Sequence, residues 1–106
     1  MPPPHDAENR DRILARLCED GILRREGARF RTTRRWQAAM MRSAARLVAR
    51  GERDGDLRFP VAEALLELYG DALSESDFVD AVVAMTVVEN AELAPARDAQ
   101  APITPT

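Results

Sequence analysis

The chain has no lysine, a single cysteine and a single histidine among its 106 residues. Cys18 alone cannot form an internal disulfide, and together with His5 it falls short of the ligand sets of zinc sites. We therefore expect no disulfide and no metal site. All 15 basic residues are arginines, whose planar and always-charged guanidinium groups suit phosphate or carboxylate.

Long hydrophobic runs and targeting signals are also missing. No stretch approaches the roughly 18 consecutive apolar residues of a membrane span. The first six residues, MPPPHD, have the features of neither a signal peptide nor a transit peptide. We therefore expect a cytoplasmic protein with no membrane partner.

Catalytic motifs are absent as well. The sequence contains no HExxH motif, no Ser/His/Asp or Cys/His set, no glycine-rich phosphate loop with a lysine and no lysine for a Schiff base. Two acid pairs with i, i+3 spacing, Asp77 with Asp80 and Glu89 with Glu92, are more typical of capped or solvated helix ends than of acid–base sites. We expect a non-enzymatic protein that needs no cofactor.

The composition is that of a small folded domain. Apolar residues make up 45% of the chain and charged residues 31%, which is ordinary for a globular protein. A chain of this length has room for one domain. Because most prolines lie near the two ends, we expect a disordered leader over 1–5, one domain over 6–93 and a disordered tail over 94–106.

The two halves of the chain carry opposite charge. Residues 1–53 contain 13 arginines and 7 acids, for a charge of +6, whereas residues 54–106 contain 2 arginines and 11 acids, for −9. This asymmetry indicates either a basic surface for an anionic partner, or two halves that attract each other within the fold or across a dimer. The composition alone does not distinguish these alternatives.

Four helices and one β-hairpin, at about residues 22–32, are expected within the domain. The first helix covers about Asp6 to Asp20, and its apolar stripe includes Cys18 as a buried thiol. Strands at Ile22–Arg25 and Arg29–Thr32 flank the loop Glu26-Gly27-Ala28. We expect the inward side chains of the hairpin to be those of Ile22 and Phe30. Four arginines then lie close together on the two strands, where repulsion between like charges lowers stability: Arg24, Arg25, Arg29 and Arg31.

The second helix is predicted to begin after a Thr33 cap and to run to about Arg50, with Gly51 just past its end. It contains no acid. Its apolar side is centred on Trp36, Met40, Ala44, Leu47 and Val48. The opposite side carries a row of arginines within an arc of about 80°: Arg35, Arg42, Arg46, Arg50 and Arg53. Arg34 and Arg35 also occupy the first turn, where free N–H groups and guanidinium groups together predict a seat for phosphate or carboxylate.

The last two helices close the domain. The third is predicted over Pro60–Tyr69, with Gly70 ending it. Ser74 and Asp77 form an aspartate version of a capping box at the start of the fourth helix, whose body is apolar nearly all round. Because one small core cannot cover all of that helix, we expect a homodimer contact through Phe78, Val79, Val82, Val83 and Val87.

The segment over about residues 17–36, LCEDGILRREGARFRTTRRW, resembles the wing of a winged-helix domain, in which a helix leads into a β-hairpin and the hairpin into another helix. The resemblance implies a winged-helix-like fold whose hairpin arginines contact DNA phosphates. The helix of that family that enters the major groove corresponds to Asp6–Asp20, which carries three arginines but also five acids. We expect the two helices that precede it in the family either to be missing or to be supplied by later helices that pack in a permuted order.

Two functions remain open. In the first, the chain is a small dimeric nucleic-acid-binding protein of the transcription-regulator type. It would contact phosphates through a wing and helix surface made of Arg24, Arg25, Arg29, Arg31, Arg34, Arg35, Arg42 and Arg46. In the second, it is a protein–protein adaptor or accessory subunit whose basic surface binds an acidic protein.

Overall fold

The computed structural model describes residues 5–51 and 55–100, which form one mainly helical domain. The elements are α1 (His5–Glu19), β1 (Leu23–Glu26), β2 (Arg29–Thr32), α2 (Arg34–Ala49), α3 (Arg58–Tyr69) and α4 (Glu75–Gln100). The predicted fold class, four helices with one β-hairpin in a single domain, is confirmed. Helix α2 packs against α3, while α4 packs against α1, α3 and β2.

A single apolar core lies between the four helices and the base of the hairpin. Leu17, Ile22, Leu23, Trp36 and Leu65 are its largest fully buried side chains. They come from α1, the hairpin, α2 and α3, and Met85 adds α4. Burial of each such side chain stabilises a fold by about 1.5–3 kcal/mol. The shared core therefore holds the helices and the hairpin together.

The hairpin is antiparallel and is closed by a two-residue loop, Gly27-Ala28. Gly27 has a φ of +62°, and no non-glycine residue among those described has a positive φ. A glycine with positive φ at the first loop position fits a type II′ turn, which matches the twist of a hairpin. Strand β2 has the predicted bounds, whereas β1 begins one residue later than predicted, because the Ile22 N–H still donates to the Leu17 carbonyl at the end of α1, 2.9 Å away.

Helix α2 begins and ends where its caps predict. The Thr33 hydroxyl accepts a hydrogen bond from the Trp36 N–H, and Gly51 follows the C-cap with a φ of +78°. The buried face is narrower than expected, because Trp36, Ala39, Ser43 and Leu47 fill it. Two residues assigned to the apolar side are exposed, namely Ala44 and Val48.

Both ends of the ordered domain differ from the prediction. Helix α1 begins at His5, inside the predicted leader, and α4 continues to Gln100, well into the segment predicted as a tail. Residues 1–4 and 101–106 lie outside the described residues. The prediction of a tail rested on the prolines and small residues that follow Leu93.

Helix α4 turns its apolar residues in two directions. Phe78 and Val82 are half-buried and pack against the core. Val79, Val83 and Val87, which follow one another at i, i+4 spacing, are exposed on the opposite side. We name these three residues the valine stripe. The five residues predicted for a dimer contact are therefore divided between the core and the surface.

Candidate anion-binding surface

Pairing of the two strands decides which hairpin side chains share a face. Arg24 lies opposite Arg31 and Glu26 lies opposite Arg29, so these four residues form the outer hairpin face. All four are exposed. Leu23, Arg25, Phe30 and Thr32 form the other face, which turns toward the core. The outer hairpin face thus presents three arginines and one glutamate to solvent.

The basic side chains on and beside the hairpin have few internal partners. The Arg24 guanidinium lies 3.2 Å from the Glu26 carboxylate, in a pair that is more than half exposed. Arg25 lies over the Phe30 ring, 5.0 Å from its centroid, which leaves its N–H groups free to bond elsewhere. Arg29 and Arg34 are exposed and form no ion pair with any residue that the structure describes. These side chains can accept an external anion without breaking a buried contact.

Helix α4 anchors the inner side of the hairpin through Glu92. Its carboxylate accepts hydrogen bonds from the Thr32 N–H at 2.8 Å and from the Thr32 hydroxyl at 2.6 Å. Arg31 Nε lies 3.7 Å from the same carboxylate. Of the arginines on the outer hairpin face, Arg31 is thus the one with an internal carboxylate from another element.

Glu89, one turn earlier on α4, supports the start of α2. It is buried and accepts a 2.6 Å hydrogen bond from the Trp36 indole N–H and a longer one from the Gln37 amide. Burial raises the pKa of the Glu89 carboxyl, and the nearby charge of Glu92 raises it further. Glu89 and Glu92 were expected to be solvated. Their spacing from Met85 and Val88 places them on the buried side of α4, and this spacing could have indicated from the sequence that they are not solvated.

The arginine row of α2 lies against α3 and is paired there. Arg42 Nε donates to Glu67 Oε2 at 2.8 Å, and Arg46 donates to Glu67 Oε1 at 3.1 Å. One turn later Arg50 donates to Glu63 at 2.6 Å. Hydrogen bonds from Arg42 and then Arg46 hold the pKa of Glu67 below its usual value. We name this set the α2–α3 ion-pair row; Arg53, also assigned to it from the sequence, lies outside the described residues.

The predicted anion seat at the start of α2 is only partly free. The Thr33 oxygen already accepts from the Trp36 N–H, while its hydroxyl donates to the Gly21 carbonyl at 2.6 Å. Arg35 points back to α1 and donates to the Asp20 carbonyl at 2.9 Å. Arg34, the other arginine of this turn, is exposed and forms no ion pair with any described residue. The structure therefore separates Arg35 from the outer hairpin face.

Helix α1, which corresponds to the base-reading helix in the resemblance, uses two of its arginines internally. Arg12 donates to Asp77 of α4 at 3.1 Å. Arg16 lies 3.6 Å from Asp20 and 5.6 Å from the centroid of the Tyr69 ring. Only Arg10 of the three is exposed without a described ion pair. This distribution does not favour insertion of α1 into a groove of DNA.

Residues 5–51 and 55–100 contain no group of three or more His, Cys, Asp or Glu side chains that could hold a metal ion. None of the helices in this part of the chain is long and apolar enough to cross a membrane.

Comparison with known proteins adds no relative. No protein-family model, curated protein or solved structure matches the chain. The function has to be inferred from the chemistry and placement of the arginines themselves.

Proposed function

We propose that this protein is a small, non-enzymatic, winged-helix-like nucleic-acid-binding protein whose hairpin contacts the phosphate backbone. The observation that carries the proposal is the outer hairpin face, where Arg24, Arg29 and Arg31 share one exposed surface with a single acid. Exposed ribbons normally avoid like charges opposite each other, because such pairs are destabilising. A bound polyanion removes that repulsion.

Guanidinium groups on a narrow two-stranded ribbon suit a phosphate backbone. Each group offers several N–H donors in a planar fork that matches two phosphate oxygens. Arg25, on the other face of the hairpin, and Arg34, the first residue of α2, are further exposed basic residues. Contacts of this kind position a protein on nucleic acid without reading its sequence.

We limit the contact surface to the hairpin and Arg34. Arg42 and Arg46 each donate to Glu67 within the chain, so a phosphate would have to compete with an existing carboxylate. Arg35 is held against Asp20. The excess arginines of the first half of the chain thus serve in two ways. Those of α2 form internal ion pairs, and those of the hairpin bind anions.

The test is fluorescence anisotropy with two labelled duplexes of unrelated sequence at about 50 mM and 200 mM salt. We expect similar affinity for both duplexes and much weaker binding at the higher salt. Arg29→Gln should weaken binding several-fold, because it removes a cation that has no described internal partner. Arg42→Gln is the matched control, since it removes the same charge from the α2–α3 ion-pair row and should leave the affinity nearly unchanged.

Three results would contradict the proposal. One is no binding of either duplex at the lower salt, which would leave binding of an acidic protein as the function of the surface. Another is a strong preference for one duplex, which requires base contacts. The third is an equal effect of Arg29→Gln and Arg42→Gln.

The valine stripe favours a second candidate function, assembly through α4. Val79, Val83 and Val87 are 54%, 52% and 62% exposed, whereas isolated helices at a protein surface normally present polar residues there. A homodimer or an adaptor complex would cover them. Light scattering at tens of micromolar should show a dimer, and Val83→Glu should give a folded monomer, because an exposed position tolerates the charge. A monomeric parent protein would contradict self-association.

A further inference from the structure

An open cleft of about 450 Å³ lies between the end of α1, the start of the hairpin and the end of α3. Ile22, Leu68 and Ala72 supply the apolar part of its lining. Its polar part contains two arginines, Arg16 and Arg35, and two acids, Glu19 and Asp20. The cleft is open and its lining is more polar than apolar, so it suits a small charged ligand with a limited apolar part.

Asp20 organises the polar side of the cleft. Its carboxylate accepts a 2.6 Å hydrogen bond from the Tyr69 hydroxyl, and its backbone carbonyl accepts one from Arg35 Nη1 at 2.9 Å. Burial raises the pKa of Tyr69, and the bond to Asp20 raises it further, so that Tyr69 stays a neutral donor. The Asp20 carboxylate is therefore already used within the protein.

Arg35 and Glu19 are the charged groups of the cleft that retain bonding capacity. Arg35 uses one of five guanidinium N–H groups on Asp20, so most of its donors are available to a ligand. Glu19 is exposed, and no residue that the structure describes forms an ion pair with it. A cation and an anion thus remain available beside the same apolar lining.

We propose that the cleft binds a small zwitterion with an apolar body, of the chemical class of apolar α-amino acids. The ligand carboxylate lies against Arg35, its ammonium group against Glu19, and its side chain against Leu68 and Ala72. The two arginines and two acids of the lining cancel in charge, which disfavours a phosphate dianion and suits a ligand of zero net charge. This site is separate from the hairpin surface, and its occupancy does not depend on nucleic-acid binding.

The test is a titration of ¹⁵N-labelled protein with leucine, N-acetyl-leucine and leucinamide, followed by the amide signals of Gly21, Ile22 and Ala72. Leucine at millimolar concentrations should shift these signals. N-acetyl-leucine lacks the ammonium group and leucinamide lacks the carboxylate, so each should bind roughly tenfold more weakly or worse. Shifts that are absent with leucine, or equal with N-acetyl-leucine, would overturn the proposal.

Two variants locate the ligand within the cleft. Glu19→Gln should weaken leucine binding roughly tenfold, because the leucine ammonium group loses its carboxylate partner. The weak binding of N-acetyl-leucine, which has no ammonium group, should not change. Arg35→Gln should weaken both, and Arg34→Gln is its matched control from the neighbouring exposed position. If Arg35→Gln destabilises the end of α1, Glu19→Gln still decides the matter, since Glu19 is exposed. Unchanged leucine affinity in Glu19→Gln would contradict the assigned ammonium contact.

Discussion

The hairpin and helix α2 are both rich in arginine, yet their arginines have different surroundings. On the outer hairpin face, Arg24 and Arg31 lie opposite each other across the strands. On α2, Arg42 and Arg46 share Glu67 of the next helix. A row of like charges is therefore not by itself a binding surface. What decides its role is whether the neighbouring element supplies carboxylates.

Chain topology explains the difference. Helix α3 packs along α2, and the ion pairs run in opposite order on the two helices: Arg42 and Arg46 reach Glu67, and Arg50 reaches Glu63. The hairpin instead meets α4 mainly through its inner side, where Glu92 binds Thr32 and lies 3.7 Å from Arg31. Arg24 and Arg29 of the outer hairpin face have no acid from another element among the described residues.

The largest expected effect is that of paired charge removal on duplex affinity. Arg24→Gln with Arg29→Gln should weaken duplex binding at about 50 mM salt on the order of tenfold to a hundredfold, because two phosphate contacts are lost. Arg42→Gln with Arg46→Gln removes the same net charge from the α2–α3 ion-pair row. This double variant should change the duplex affinity, measured by anisotropy, by less than about threefold. Equal losses would show that net charge alone controls binding and that the distinction between the two regions is wrong.

The next effect concerns attachment of the hairpin. Phe30 is half-buried against the core and carries Arg25 over its ring. Phe30→Ala should lower the free energy of unfolding by about 1.5 kcal/mol, roughly half of the loss at a fully buried phenylalanine. Denaturant titration followed by Trp36 fluorescence measures it. Val48→Ala, at an exposed position on α2, is a control for truncation of a side chain away from the hairpin. A loss no larger than that of the control would place the ring in solvent.

A smaller effect is the change in the stability of the fold with pH. The pKa of Glu89 is raised, so the folded state binds the proton more readily and stability rises as pH falls from neutral toward the usual glutamate value near 4.5. Glu67 has a lowered pKa, and the Arg58 hydrogen bonds lower that of Asp56 to about 2. Their contributions are lost only as pH falls below their usual values. Unfolding midpoints should therefore rise slightly in weak acid and then fall.

Glu89→Gln isolates the buried carboxyl in that pH profile. The amide oxygen can still accept from the Trp36 indole, but the group no longer titrates. The variant should be at least as stable as the parent at neutral pH and should lack the rise in weak acid. Parallel stability profiles for the two proteins would contradict a buried, proton-binding Glu89.

The smallest expected effect is on stability at the α2–α3 ion-pair row. Its members are partly exposed, and exposed ion pairs contribute little because water and salt screen them. Arg46→Gln should therefore leave the thermal midpoint unchanged within the error of calorimetry. A clear drop in the midpoint would mean that α2 needs these ion pairs for folding, and that they contribute more to stability than we infer.

The sequence predicted features that depend on neighbouring residues, but it did not predict contacts between distant segments. The Thr33 cap, the Gly27 turn and the end of α3 at Gly70 follow from local chemistry, and all are present. The pairing of Arg42 with Glu67 and the burial of Glu89 depend on which helices become neighbours. Charge counts could show that two halves of opposite sign exist. They could not show which arginines would find an acid within the chain.

The salt dependence of duplex binding shows whether the hairpin arginines contact phosphates. The slope of log affinity against log salt should be near −0.9 for each phosphate neutralised. Arg29→Gln should flatten that slope by about one, and Arg46→Gln should leave it unchanged. A slope that Arg46→Gln flattens as much as Arg29→Gln, or a parent protein with no salt-dependent binding, would contradict a hairpin surface for phosphates.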